Sequence, residues 1–570
     1  MRQIRPDCQH GFEIVFRRGA GGRHYSVDME GWKSMITGVL DTVIASEKSS
    51  PASVSAEAFP KWAWLVVLVC GVVILWFTFK DIQDPLLDRH SHRQTQTAIS
   101  VHCMLSEGAW FPYFTPVLGS PWSIPMEFPL YQWIVAGMVK VTGLPLELAG
   151  RLVSLAFWWL MLFELFRALR HFVPGKLQRA ALLVVVAASP ASIYWSRSFM
   201  IETCALYLAV AFGGRVLSAV REGKRSAWAW AVLFGTLAAL QKITTLFVME
   251  VLIGMILLGG LVQQWQVAEQ RRLAARHLGL FLLLGGWTLA VGLGWANWAD
   301  KVKERNVMAR ESITTKALKE WNYGTMQQRL SGETWQHLAS NITLGFSGRT
   351  PGLGYKVPLL LWLVVVLLAR KRLWQQGILL LAFMAGPIVF LNLYHIHEYY
   401  FVANGYLLLL ALGLAGVAAW EDRRGWMQRC APVFLGIVIM GQLYGYSRYH
   451  MLLIAEVPDR RQIETDFRQL LDARLGKAET LLVYGRDWDP AVAFYAQRKA
   501  IIDKFNWSPG DERMRVLLGG LRPEERIGAM IVAGAQRTNM VFLQERIGAF
   551  DLEEKPQASY WGDVYFRKQK

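Results

Sequence analysis

The chain has 570 residues, of which 53% are hydrophobic and 25 are tryptophan, and its formal net charge is +17. A composition this apolar excludes an ordinary soluble protein and predicts a polytopic membrane protein. The basic residues stand in short clusters between apolar runs, as they do in cytoplasmic loops, so we expect no nucleic acid partner. The five cysteines are too scattered to predict a disulfide framework.

The first 60 residues are polar and lack the short apolar core and the cleavage site of a signal peptide. Apolar residues recur at helical spacing between Trp32 and Ile44. This pattern predicts an amphipathic helix on the inner membrane face or, as an equal alternative, a small packed helix. Residues 1–60 are therefore predicted to form a cytoplasmic N-terminal extension.

Apolar runs that approach the thickness of a bilayer recur through residues 61–448 and predict about eleven spans. The runs cover residues 62–79, 148–166, 180–195, 199–218, 227–241, 243–262, 278–298, 356–369, 377–394, 400–419 and 431–447. The segment from Leu130 to Thr142 is short and carries Lys140. We expect a half-inserted or interfacial helix there, with a complete extra span as the alternative, so the total range is about 11 to 13 spans.

Orientation follows from five basic clusters, which all fall on one side of the membrane if the N-terminus is inside and the segment from Leu130 to Thr142 does not fully span. The clusters are Arg167, Arg170, Lys176 and Arg179; Arg221, Lys224 and Arg225; Arg271, Arg272 and Arg276; Arg370, Lys371 and Arg372; and Arg423, Arg424 and Arg429. The opposite side then receives a first outer loop at residues 80–129, a long outer loop at residues 299–355, and the tail at residues 449–570.

The tail alternates strand-like runs, "ETLLVYG", "AMIVAG" and "DVYF", with helix-like ones. It is polar enough for water, so we predict a small soluble α/β domain outside the membrane. The predicted fold is thus a polytopic α-helical membrane bundle at residues 61–448, with helices in the outer loops and this C-terminal domain at residues 449–570.

Ionisable residues at the ends of spans are candidates for function, because a charge near the membrane interior is costly unless it is paired or hydrated. On the outer side they form four groups. These are Asp84, Asp88, Arg89, His90, His92 and Arg93 in "DPLLDRHSHR"; Glu127 and Tyr131 in "MEFPLYQW"; Arg197 and Glu202 in "YWSRSFMIE"; and His395, His397, Glu398 and Tyr399 in "YHIHEYY". Lys242 in "LQKITT" adds a lone buried cation.

Each group also has a structural interpretation. Arg197 and Glu202, as an ion pair, would only fix two helices against each other. The tyrosines would belong to an interfacial aromatic belt, and the aspartates of the first outer loop to a solvated face. His395 and His397 would form a metal pair, but their i, i+2 spacing on a loop without a nearby cysteine is weak evidence for zinc, so we expect no metal ligands.

The convergence of all four groups on one side favours catalysis over these interpretations. Where a hydroxyl or amine attacks a sugar whose leaving group is a membrane-anchored phosphate, a carboxylate accepts the proton. Cations and hydroxyl donors stabilise the departing phosphate. The sequence has no Walker loop or dinucleotide fingerprint, so a soluble nucleotide donor has no expected binding loop.

The motifs also occur in a characteristic order. They are "PLLDRHSHRQTQTA", "GAWFPYFTPVLGSPW", "MEFPLYQWIVAGMVKVTG", "SPASIYWSRSFMIETCALYL", "LFGTLAALQKITTL" and "HEYYFVANGYLLLLALG". This order, between residues 60 and 420, resembles the GT-C membrane glycosyltransferases, in the branch that contains the protein O-mannosyltransferases and the aminoarabinose transferase of lipid A.

The resemblance implies a polyprenyl-phosphate sugar donor, a site on the outer face of the bacterial inner membrane, inversion at the anomeric carbon, and an aspartate of the first outer loop as base. The matching residue is Asp88, with Asp84 second. The family's Asp-Glu pair stands here as Asp88-Arg89, and its Glu-Lys-Pro-Pro as Glu127-Phe128-Pro129-Leu130, without the lysine that contacts the lipid phosphate.

These departures suggest that Arg89, His90, His92 and Arg93 take over phosphate or acceptor binding, and that Lys242, Arg197, His395 and His397 complete the cationic site. We therefore expect an inverting glycosyltransferase that uses a polyprenyl phosphate donor, in the first place undecaprenyl phosphate, and a lipid, glycan or protein acceptor. We expect no required cofactor. A divalent metal such as Mg or Mn that assists the phosphate is a less favoured alternative, because Asp84 and Asp88 are four residues apart. A lipid-linked oligosaccharide polymerase or ligase is the first alternative. A membrane transporter is the second, although the sequence shows no inverted repeat.

Overall fold

The computed structural model describes residues 61–352, 354–451 and 459–569. The predicted N-terminal extension, including the helix expected between Trp32 and Ile44, lies outside the described residues.

Helices dominate the first three quarters of the chain. In chain order they are α1 (Lys61–Phe79), α2 (Ser91–Ser106), α3 (Leu130–Thr142), α4 (Leu146–Leu169), α5 (Lys176–Ala187), α6 (Pro190–Ser196), α7 (Glu202–Arg221), α8 (Arg225–Gln263) and α9 (Ala268–Lys303). They continue with α10 (Val307–Ser312), α11 (Lys319–Tyr323), α12 (Met326–Leu330), α13 (Gly332–Phe346), α14 (Lys356–Leu368), α15 (Leu373–Val389), α16 (Leu391–Ile396), α17 (Gly405–Trp420) and α18 (Gly425–Gly445).

Six segments of the described chain are long and apolar enough to cross a membrane: α4, α7, α8, α9, the stretch Arg370–Val389 and the stretch Gly425–Arg448. The pair α5 and α6, bent by 75°, makes a seventh if it is one broken span. Shorter apolar helices occupy Trp64–Phe79, α14 and α17. The protein is thus a membrane-embedded helical bundle, while the number of spans stays a prediction.

Helix α8 contains a chain reversal rather than one straight rod. Lys242 has non-helical backbone angles, with φ −167° and ψ 95°. Thr236 accepts a hydrogen bond from Trp287 at 2.9 Å, and Glu250 accepts one from the adjacent Thr288 at 2.6 Å. In a straight helix Thr236 and Glu250 would lie about 21 Å apart. The chain therefore folds back at Lys242, where two separate spans were predicted to meet.

The two ends of the bundle differ in charge. At one end Arg170 pairs with Glu222, and Arg372 pairs with Glu421 at 2.6 Å. Arg372 also donates to the carbonyl of Phe172 at 3.0 Å, so these predicted inner loops meet. Helix α7 runs from Glu202 to this basic end, which places Glu202 and the turn at Lys242 at the opposite end.

The chain beyond residue 459 forms an α/β sheet domain. Its helices are α19 (Arg460–Asp472), α20 (Ala491–Ala496), α21 (Glu512–Gly519) and α22 (Met540–Ala549), and its strands are β1 (Thr480–Tyr484), β2 (Ala500–Asp503), β3 (Ile527–Val532), β4 (Gln557–Ser559) and β5 (Gly562–Phe566). The sheet order is β2-β1-β3-β5-β4. Strand β1 pairs in parallel with β2 and β3, and all its residues are buried, as is typical of a parallel sheet covered on both faces.

The first outer loop attaches to this sheet. Ala500 in β2 donates its backbone N–H to the carbonyl of Pro116 at 3.0 Å. Ile502 donates in the same way to Val117 at 2.9 Å. Since β2 is an edge strand, the loop pairs with backbone groups that the sheet itself leaves open.

Candidate active site

The stretch from Asp88 to Arg93 turns the chain into α2 at the end of the bundle that carries Lys242. His90 precedes the helix in the left-handed region, with φ 55° and ψ 40°, and the backbone N–H of Ser91 donates to the carbonyl of Asp88 at 3.0 Å. This tight turn projects successive polar side chains in different directions. The side chain of Asp88 consequently contacts different residues from those that the side chains of Arg89, His90 and Arg93 contact.

Asp88 lies in a buried ion pair with Arg151 of α4. The Oδ2 atom of Asp88 is 3.2 Å from Nη2 of Arg151, and their side chains are 5% and 2% exposed. Gln94 donates to the other carboxylate oxygen. Arg151 also donates to the carbonyls of Ile82 at 3.0 Å and Asp84 at 2.6 Å. This arrangement fixes the start of the first outer loop to α4.

The remaining charges form three groups of ion pairs, each between segments distant in sequence. Arg89 and His90 both contact Glu398, with His90 Nε2 at 2.9 Å from Glu398 Oε2; Arg93 pairs with Glu127; and Lys242 Nζ lies 2.7 Å from Glu202 Oε1. Arg93 also interacts electrostatically with Glu202, which links the second group to the third. We call Arg89, His90, Arg93, Glu127, Glu202, Lys242 and Glu398 the charged cluster.

Aromatic rings cover one side of the charged cluster. The ammonium of Lys242 lies 4.1 Å from the ring centre of Tyr400 and 5.5 Å from that of Tyr399. His90 meets Tyr399 edge-on, with ring centres 5.1 Å apart. The ring faces attract the cation and exclude water, so they strengthen nearby charge interactions.

Three imidazoles lie together at the charged cluster, one of them within it. His90, His92 and His397 each offer a ring nitrogen, and these nitrogens lie within 4.8 Å of one another. Burial, together with the neighbouring charge, lowers the pKa of His92 to about 4 and that of His397 to about 3. Burial alone would raise the pKa of Glu398, but hydrogen bonds and charge from His90 and Arg89 lower it to about 2.

Four other predicted site residues have their partners elsewhere. Asp84 lies 3.7 Å from Arg460 of the C-terminal domain. The hydroxyl of the fully buried Tyr131 lies 2.8 Å from both the carbonyl of Gly150 and the hydroxyl of Ser154.

The other two are Arg197 and His395. Arg197 donates to the carbonyls of Thr78 and Lys80 at the end of α1. The ring of His395 packs against His337, with ring centres 4.7 Å apart. The alternative in which Arg197 pairs with Glu202 is replaced by the pair of Glu202 with Lys242.

Sequence reasoning missed Arg151 and Gln94, which hold Asp88. Arg151 stands alone in the apolar run "GRLVSLAF", and a lone arginine within a span is itself a signal that a buried carboxylate lies nearby. Gln94 carried no such signal, because polar residues are ordinary in the first turn of a loop helix.

No protein-family model and no curated protein matches the chain. Solved structures do match its fold. ArnT from Cupriavidus metallidurans bound to undecaprenyl phosphate superposes with a TM-score of 0.58 and 13% identity, covering 90% of this chain and 100% of that one. The Archaeoglobus fulgidus oligosaccharyltransferase in its apo form gives a TM-score of 0.51 at 10% identity, covering 86% of this chain and 72% of that one.

The complex of that oligosaccharyltransferase with Zn and sulfate gives a TM-score of 0.50 at 12% identity, covering 88% of this chain and 73% of that one. ArnT and the oligosaccharyltransferase are both GT-C glycosyltransferases. The resemblance predicted from the order of the motifs is thereby confirmed at the level of the fold. The chain has the GT-C fold of membrane glycosyltransferases.

Proposed function

We propose that the protein is an inverting glycosyltransferase. It moves one sugar from a polyprenyl phosphate to a lipid, glycan or protein acceptor on the periplasmic face of the bacterial inner membrane. The polyprenyl phosphate that we propose is undecaprenyl phosphate. The observation that carries this proposal is the charged cluster, in which carboxylates and cations from five segments meet at the end of the bundle opposite the basic clusters. The lipid phosphate bound to the similarly folded ArnT supports the donor class.

The donor phosphate binds by exchange with carboxylates. Arg89, Arg93 and Lys242 are each paired with a glutamate, and Arg89 is the most accessible of the three, with 42% of its side chain exposed. A phosphate group makes charge-assisted hydrogen bonds to the same cations. Its arrival frees a glutamate oxygen, which can then accept a hydrogen bond from the acceptor.

The transfer step needs a base and a stabilised leaving group. The acceptor oxygen or nitrogen bonds to the anomeric carbon, its proton passes to a carboxylate, and the bond from that carbon to the phosphate oxygen breaks. The polyprenyl phosphate leaves with the electron pair and is stabilised by the cations. Asp88 is the base that the resemblance implies. Glu127 and Glu398 belong to the charged cluster, and their side chains, 19% and 18% exposed, are more accessible than that of Asp88.

The test compares wild type with Asp88→Asn, Glu127→Gln and Glu398→Gln in lipid nanodiscs. Binding of radiolabelled undecaprenyl-phosphate sugars and formation of labelled product are measured separately. We expect Asp88→Asn to bind donor and to lose about 10²- to 10⁴-fold in turnover. If Asp88→Asn keeps full turnover, Asp88 is not the base. The base is then the glutamate whose glutamine variant binds donor but forms no product.

The wild-type product decides between the reaction classes. Transfer of a single sugar supports the proposal, whereas transfer of a whole lipid-linked glycan identifies an oligosaccharide polymerase or ligase. Wild type that binds none of the donors and turns none over would overturn the proposed function.

A further inference from the structure

Three histidines lie together at the charged cluster, and they come from two segments that are distant in sequence. His90 and His92 flank the start of α2, and His397 follows α16. The ring centres lie 5.4 Å apart for His90 and His92, 5.3 Å for His90 and His397, and 5.7 Å for His92 and His397. Each ring therefore contacts both of the others, and all three direct nitrogens to one small volume.

The surroundings of these rings match those of metal-binding histidines. A histidine that binds a metal through one nitrogen usually donates its other N–H to a carboxylate, which fixes the ring. His90 makes this contact through Nε2, at 2.9 Å from Glu398, so Nδ1 is the nitrogen with which it would bind a metal. Glu398 is held in turn by Arg89.

His397 adds a second observation, which it shares with the neighbouring His395. Its Nδ1 atom is buried and has no hydrogen-bond partner in the part of the chain that the structure describes. A buried polar atom without a partner costs about 1–3 kcal/mol. A metal ion bound at this nitrogen would remove that cost.

We propose that His90, His92 and His397 bind a divalent transition-metal ion of the zinc class, with Glu398 as the carboxylate that orients His90. Imidazole ligands suit zinc, and three protein ligands leave a coordination position for an oxygen of water or substrate. Tetrahedral Zn–N bonds of about 2.0–2.1 Å place the nitrogens about 3.3 Å apart. Binding therefore draws the three nitrogens, which now lie within 4.8 Å of one another, closer together.

This site goes beyond the proposed function, because transfer from a polyprenyl phosphate does not in itself require a metal. It also differs from the metal pair of His395 and His397 considered from sequence. His395 packs against His337 instead, although it is only two residues from His397. His395 therefore serves as a matched control on the same segment.

The test uses the full chain, purified without a histidine tag and stripped of metal with a chelator. Affinity for added ZnCl₂ is measured by competition with a chromophoric chelator. We expect wild type and His395→Ala to bind one zinc ion per chain with equal affinity. His92→Ala and His397→Ala should bind at least about 100-fold more weakly, and Glu398→Gln about 10- to 100-fold more weakly.

Zinc-edge X-ray absorption of the wild type provides a second measurement that does not depend on the folding of variants. Three imidazole ligands at about 2.0–2.1 Å support the site. Sulfur ligands, oxygen ligands alone, or zinc affinity unchanged in His92→Ala and His397→Ala would overturn it. Because the readout is metal binding, the two proposals fail separately. A protein that transfers the sugar but does not bind zinc at these histidines refutes only the metal site, and one that binds zinc there but neither binds nor turns over any donor refutes only the proposed function.

Discussion

At the scale of single residues, the site is built from matched charges rather than from free ones. Lys242 is paired with Glu202 and Arg93 with Glu127, and the side chains of Lys242 and Arg93 are mostly buried. A buried charge that loses its partner is strongly destabilising. The cations are therefore held in place by the protein itself, and under the proposed function a donor phosphate replaces one of the existing partners.

The pair of Asp88 and Arg151 gives the sharpest prediction at this scale. Arg151→Ala leaves the carboxylate of Asp88 buried and unpaired, which we expect to cost about 3–5 kcal/mol. Arg167→Ala on the same helix removes a partly exposed contact with Glu164 at 3.4 Å and should cost less than about 1 kcal/mol. Thermal unfolding in detergent, followed by tryptophan fluorescence, measures both variants. Equal shifts of the unfolding midpoint would show that Asp88 does not depend on Arg151.

The residues of the charged cluster could be predicted from the sequence, but their partners could not. Charge clusters in the loops fix the side of the membrane, so Glu127, Lys242 and Glu398 were expected on one face. Which cation faces which carboxylate depends on how helices far apart in sequence pack. Arg197 illustrates this: its neighbour Glu202 pairs with Lys242, whereas Arg197 satisfies carbonyls at the end of α1.

At the scale of elements, close helix contacts position the first outer loop. Gly150 precedes Arg151 on α4, and a Cβ atom there would lie 2.4 Å from the ring of Phe199. That ring belongs to the segment between α6 and α7, whose backbone N–H at Phe199 donates to Gln94 at 3.0 Å. The absence of a side chain at Gly150 thus allows α4, the break before α7 and the residues that hold Asp88 to meet.

Gly150→Ala should therefore be destabilising although alanine favours helices. Overpacking of a close contact costs about 1–3 kcal/mol, which outweighs the gain of up to about 1 kcal/mol in helix propensity. Gly137→Ala on α3 is the control, because a Cβ atom there meets nothing within 4 Å. The unfolding midpoint should fall for Gly150→Ala and stay or rise for Gly137→Ala. A rise in both variants would mean that the ring of Phe199 moves aside freely.

The reversal within α8 shows what sequence patterns resolve at this scale. Two apolar runs were predicted on either side of Lys242, and the chain does turn there. Neither glycine nor proline marks the turn, so only the lone cation between the runs gave a signal. The register of the two halves against α9 could not be predicted, because it depends on side-chain packing such as that of Trp287 with Thr236.

At the scale of the whole molecule, the C-terminal domain and the end of the bundle that carries the charged cluster are connected through one edge of the sheet. The first outer loop pairs with β2, and Lys499, just before β2, bridges Glu107 at the end of α2 and Glu525 at 2.7 and 2.8 Å. The strands themselves follow the strand-like runs of the tail. Their attachment to the loop had no sequence signal, because the loop segment lacks an alternating pattern.

This connection should respond to pH through Asp503 at the end of β2. Burial raises the pKa of Asp503 from 3.8 to about 6, even though its carboxylate accepts backbone hydrogen bonds from Phe505 and Trp507. Between these two values the folded domain binds more protons than the unfolded one, so its stability falls as pH rises. The full effect is at most about 3 kcal/mol, and about 2 kcal/mol of it lies between pH 4.5 and pH 7.5.

Hydrogen exchange of the full-length protein measures this effect in peptides that cover β1 and β2, after correction for the intrinsic exchange rate. Relative to Asp503→Asn, which does not titrate, the wild type should gain protection as pH falls from 7.5 to 4.5. Acid protonation of paired carboxylates elsewhere affects both proteins alike and cancels in the difference. A wild type that loses protection relative to Asp503→Asn over this range would mean that the carboxylate is stabilised in its charged form. The edge strand β2, which holds the first outer loop, would then be most stable against opening at neutral pH instead of at mildly acidic pH.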